Sequence, residues 1–95
     1  MSGQAESVEQ FIARSREVSL TALKGCPAQT YTQMSELLDK LSGSFSLFNE
    51  NFPSAFGELV AQLLAAQQID DLLCISDFLG FELPYVLNFS RNTRM

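Results

Sequence analysis

Tyr31, Met34, Leu38, Leu41, Phe45 and Phe48 step along the chain by three, four, three, four and three residues. No other feature narrows so far what this chain can fold into. Apolar residues at alternating third and fourth positions make one stripe on an α-helix, and a repeat of seven is the pattern of a seam between helices. The spacing predicts a helix of about five turns over residues 30–48. Thr30 and Gln33 fit a capping box at its start, each side chain bonding the other's backbone amide. Leu37 and Leu47 widen the apolar face. Gly43 weakens it, by up to ~1 kcal/mol against alanine.

Two further helices flank this one. Val8, Phe11, Ile12, Ser15, Val18 and Ala22 recur at helical spacing behind a capping residue, Ser7. Gly25-Cys26-Pro27 ends that helix, since glycine suits the left-handed position after a helix and proline cannot continue the ladder. After the turn at Asn49–Ser54, apolar residues from Phe56 to Leu79 predict a third helix over residues 54–79. Gly80 fits its stop, and Phe81 fits the residue that folds back on the last turn. Such a helix is ~39 Å long at 1.5 Å per residue, whereas a compact chain of this length is nearer ~32 Å across. The expected fold is therefore all-α, one domain over residues 1–95. It is a long antiparallel hairpin with an extra N-terminal helix, paired with a second copy as a dimeric helix bundle. Met34, Leu38, Leu41, Phe45 and Phe48 are the expected dimer interface. Residues 1–6 are expected to fray, and residues 82–95 form an apolar C-terminal tail.

Charge separates the function classes. The 95 residues carry a net charge of −5, and no Lys or Arg falls between Leu41 and Ser90. A nucleic-acid binder needs clustered cations to displace counterions from phosphate, and an anionic membrane surface asks the same. Neither direct nucleic-acid binding nor membrane binding is expected. No apolar run approaches the ~20 residues of a bilayer span, and no signal-like apolar segment follows Met1. Cys26 and Cys74 lack the CxxC spacing and fit two reduced, small hydrophobes of a cytoplasmic protein.

Catalysis finds little to work with. There is no histidine, the usual proton carrier near neutral pH. No phosphate-binding loop, dinucleotide fingerprint or nucleophile elbow is present. Asp70 and Asp71 project ~100° apart if helical, so they do not converge on one substrate atom. Asp70, Asp71 and Asp77 lack the spacing of a calcium loop. The chain is expected to be no enzyme and to need no metal or cofactor.

The tail points to binding. Leu83, Tyr85, Val86, Leu87 and Phe89 follow an apparently finished helix. They are either a lid on the chain's own core, with Phe81 and Leu83 turned inward, or an extended sticky segment for a partner, alternating with period two. The second reading makes the tail dispensable for folding. It assigns partner binding to Phe78, Phe81, Leu83, Tyr85, Leu87 and Phe89, with Asp70, Asp71 and Asp77 as a charged rim.

Leu23–Ala28 (LKGCPA) and Gln68–Phe81 (QIDDLLCISDFLGF), with Pro84 and Val86 after it, carry a resemblance. In these stretches and in their layout from Leu23 onward, the chain resembles the small helical quorum-sensing anti-activators of the TraM type. Its fuller N-terminal helix and acidic bias depart from that pattern. The resemblance implies a homodimer that binds a LuxR-type transcription factor and blocks its dimerisation or DNA binding. The alternative is a small helical co-chaperone or export-apparatus subunit that shields a partner helix in an amphipathic groove.

Overall fold

The computed structural model describes residues 7–91, so the expected fraying of residues 1–6 and the last four residues of the tail lie outside it. The described residues are all-α: α1 (Val8–Leu23), α2 (Pro27–Ser42), a single 3-10 turn (Phe45–Leu47), α3 (Phe52–Gln68) and α4 (Leu72–Phe89). A capping box opens α1, in which Ser7 Oγ accepts from the Gln10 amide at 3.2 Å and Gln10 Oε1 accepts from the Ser7 amide at 2.8 Å. Gly25, at φ +77°, ends it as expected.

The seam of α2 needs correction. The helix starts at Pro27, a residue pre-set for a first turn, and Thr30 lies inside it. The Thr30 hydroxyl donates to the Cys26 carbonyl at 2.7 Å, so the box expected with Gln33 does not form. Gln33 Oε1 is instead buried without a hydrogen-bond partner among the described residues. The helix stops at Ser42 and Gly43 caps it, leaving Phe45 in the 3-10 turn and Phe48 in an isolated antiparallel bridge with Arg91. Its buried stripe is Thr30, Met34, Leu37 and Leu41. Tyr31 and Leu38 fall to the edge, half-buried.

The long third helix is also two helices. Ile69 and Asp70 form a turn in which Asp70 adopts a left-handed φ of 53°. The Asp71 carboxylate then accepts from the Cys74 amide at 3.1 Å and caps α4. Aspartate is among the few non-glycine residues that tolerate this backbone region and favour a cap. The ~39 Å helix whose overhang called for a second copy therefore does not exist.

Gly80 does not stop a helix. Two α-helical segments, Leu72–Asp77 and Leu83–Phe89, run on through a π-helical turn at Phe78–Glu82. In that turn the Leu83 amide donates to the carbonyl five residues back, Phe78. The same register would aim the carbonyl of Leu79 at residue 84, a proline without an N–H. Ser15 of α1 fills the gap, its hydroxyl donating to Leu79 O at 2.5 Å. One turn along, Ser19 Oγ donates to Ser76 O at 2.9 Å. A Cβ at Gly80 would stand 2.8 Å from Ser19 Oγ. Glycine is thus required because α1 crosses α4 there at close range.

The tail is consequently helical, not extended, and Phe81 does not fold back. Every fourth residue lines one side of α4, because the wider π turn cancels the drift that four-residue steps accumulate in an α-helix. Ile75, Leu79, Leu83 and Leu87 are fully buried. The central helix of the fold is α1, which packs against α2 and along the whole of α4, while α3 packs on α4. The packing centre is thus the α1–α4 pair and not the expected long antiparallel hairpin. The molecule measures 41 × 30 × 17 Å, and its thin dimension accommodates about two helix layers at 8–10 Å separation. By length and composition α4 could cross a membrane, contrary to expectation, yet one side of it is core.

Candidate binding surface

The expected partner-binding residues divide by side of α4. Leu83 and Leu87 are core, so they offer nothing to a partner in the folded chain. Phe78 is half-buried. Phe81, Tyr85 and Phe89 are open, at 72%, 66% and 69% exposure. The Tyr85 and Phe89 rings stack, with centroids 5.8 Å apart and planes at 12°. Leu73 lies two turns before Phe81 on the same side and is equally exposed.

The acidic residues are not one rim. Asp71 is consumed as the cap of α4. Asp70 accepts a 2.7 Å hydrogen bond from the Tyr31 hydroxyl, tying the start of α2 to the α3–α4 turn. This bond and the neighbouring carboxylate hold the Tyr31 phenol above its ordinary pKa, with burial adding to the effect. Only Asp77 stands exposed on the aromatic side, one turn before Phe81.

Sequence reasoning missed the other half of this surface, which comes from α1. A groove between α1 and α4 holds one cavity of about 390 Å³, lined by Ile12, Arg16, Gly80, Phe81, Pro84 and Tyr85 among others. A second, of about 340 Å³, includes Arg16, Leu20, Leu23, Gly80 and Phe81. They share Arg16, Gly80 and Phe81, so the surface is continuous from Leu23 to Tyr85. Leu20 and Leu23 are 58% and 56% exposed. Their signal was present in the sequence, as two large apolar residues off the periodic stripe of α1.

The expected dimer interface is largely occupied by the chain itself. Met34, Leu41 and Phe48 are buried in the core, whereas Leu38 is half-buried and Phe45 partly open. What remains beside α2 is a cavity of about 440 Å³ between α2 and α3, with Tyr31, Leu38, Val60 and Leu64 on its walls.

Comparison with protein-family models, with curated proteins and with solved structures finds no match. Among the described residues, no three His, Cys, Asp or Glu side chains gather as a metal site would require. Cys26 and Cys74 are free and half-buried. Burial raises the Cys74 thiol pKa, with Asp71 and Asp77 adding to it, and a raised pKa keeps a thiol in its unreactive form.

Proposed function

We propose that the chain is a non-catalytic, cytoplasmic protein-binding inhibitor that docks through the outward side of α4. One observation carries this reading: Phe81, Tyr85 and Phe89 lie uncovered on a helix whose other side is core. A helix apolar all round is normally buried, and only 33% of α4 is. Aromatic rings give large contact area for few frozen torsions, which is why they anchor interfaces.

The sharper form follows the family resemblance. The partner would be a LuxR-type transcription factor, and the complex would block its dimerisation or DNA binding, making the chain a quorum-sensing anti-activator whose free form is a homodimer. The acidic body supports encounter with a basic DNA-binding regulator, and Asp77 beside Phe81 puts a carboxylate at the docking side. The chain itself would not touch nucleic acid.

The test is co-purification of the tagged chain from its host, followed by DNA-binding assays on what is captured. A LuxR-type regulator whose operator binding falls on adding the chain supports the reading. Capture of a secreted or pilus-like subunit in its place replaces it with the shielding role of a co-chaperone.

A further inference from the structure

We propose that the α1–α4 face is an isologous dimer interface, covered in the free protein by the same face of a second copy. The inference deepens the functional reading and rests on it in one respect, that both use the outward side of α4. Self-association would then guard the docking side, and partner capture would have to displace a copy.

The area is of the right order. Leu20, Leu23, Phe81, Tyr85 and Phe89 are each more than half exposed. At ~200 Å² for a whole aromatic side chain and somewhat less for leucine, they leave roughly 600 Å² open. That is the upper end of what a monomer normally leaves as one apolar patch, ~300–600 Å². A standard interface takes ~800 Å² from each partner, so these five side chains supply about three-quarters of it.

The charges select a second copy over other occupants. Arg16 lines both cavities of the groove. Asp77 stands exposed on the aromatic side of α4, one turn before Phe81. Among the described residues neither forms an ion pair. In a two-fold interface residue i meets j and j meets i. A face carrying both signs can therefore satisfy itself, with each Arg16 meeting the other copy's Asp77. The arrangement also places the aromatic end, Tyr85 and Phe89, on the leucine end, Leu20 and Leu23, with Phe81 and Gly80 near the axis. An anionic lipid surface would meet that carboxylate with the wrong sign.

Sedimentation equilibrium of the full chain tests this. Wild type is expected at twice the chain mass at micromolar concentration. Phe81→Glu should be monomeric with its helical circular dichroism intact. Arg16→Glu should weaken association at least about tenfold, and adding Asp77→Lys should restore it. Leu64→Glu, in the α2–α3 groove, should stay dimeric. A monomeric wild type overturns the proposal, including one that binds anionic vesicles instead. So does a dimer lost in Leu64→Glu but kept in Phe81→Glu. A monomeric Phe81→Glu that still silences a LuxR-type regulator leaves the dimer standing and overturns the functional reading of this face.

Discussion

Two groups of aromatic residues have the same helical spacing and opposite fates. Phe48 stacks on Phe52 at 4.1 Å and Phe52 on Phe56 at 5.2 Å, with Phe45 edge-on to Phe52 and Phe56. That group is core, with Phe45 at its margin. Phe81, Tyr85 and Phe89 are at least as regular in sequence, yet they stay in the open. The first group converges from three backbone segments: the 3-10 turn, the bridge residue Phe48 and the start of α3. The Asn49 amide, which donates to the Ser90 carbonyl at 2.8 Å, pins that loop to the end of α4. The second group sits on a single helix, whose rings can touch only the next ring along. Burial needs elements that cross, and a helix cannot cover its own second side.

The largest expected effect tests the closed group. Phe52→Ala removes a fully buried ring in contact with three others and should cost about 3–5 kcal/mol. Urea unfolding reads it directly. A loss under ~1 kcal/mol would mean that the cluster collapses readily and does not hold the α2–α3 loop.

The two sides of α4 give the next contrast. Leu87→Ala, on the buried side, should cost about 2–5 kcal/mol. Deleting the chain from Tyr85 onward should likewise lower the melting temperature outright, because Leu87 goes with it. Contrary to the dispensable tail expected from the sequence, residues from Tyr85 onward carry part of the core. Thermal unfolding of the truncated chain at the wild-type temperature would refute the placement of Leu87. At the crossing, Gly80→Ala drives a Cβ against Ser19 Oγ and should cost about 1–3 kcal/mol. Since that hydroxyl is also bonded to Ser76 O, Ser19→Ala in the same chain should cost less than the two changes summed. Strict additivity would show that the helices do not meet there.

These residues also show what was legible beforehand. The stripe of α1 was readable because Val8, Phe11, Ser15, Val18 and Ala22 all bury at the positions their spacing gives. The break at Asp70 was not, because no glycine or proline marks it and the left-handed turn is held by Asp71 and by Tyr31 from a distant helix. Gly80 and Pro84 were misleading for the opposite reason. Both are local stop signals, and the serines of α1, more than sixty residues away, let the helix pass through them. The open side of α4 was half legible. Phe81, Tyr85 and Phe89 are regular in sequence, but which side of the helix faces out depends on where α1 lies.

On that open side stability should barely respond. Phe81→Ala or Phe89→Ala should change the unfolding free energy of the monomer by no more than about 0.5 kcal/mol, as expected of exposed positions. Either should weaken binding at this face at least about tenfold, near 1.4 kcal/mol. A destabilisation as large as that of Phe52→Ala would erase the difference between the two groups.

The smallest effect concerns the two tyrosines, Tyr31 on α2 and Tyr85 on the open side of α4. Tyr31 donates its hydroxyl to Asp70 at 2.7 Å, a bond that an ionised phenolate could no longer make, and the phenolate would stand beside a carboxylate. Both push the Tyr31 pKa upward, as does its desolvation. A folded-state value above the unfolded one means that the bond's contribution is complete below the ordinary tyrosine pKa of about 10 and fades as pH rises through the raised value. In Tyr85→Phe, tyrosinate absorbance reports Tyr31 alone and should develop above that ordinary value. Adding Asp70→Asn removes the acceptor's charge and should bring the midpoint down, with little change in stability at neutral pH because the pair is exposed. Unchanged titration on losing the Asp70 charge would show that the α2 start is not tied to the α3–α4 turn through this bond, and that the left-handed Asp70 holds its conformation unaided.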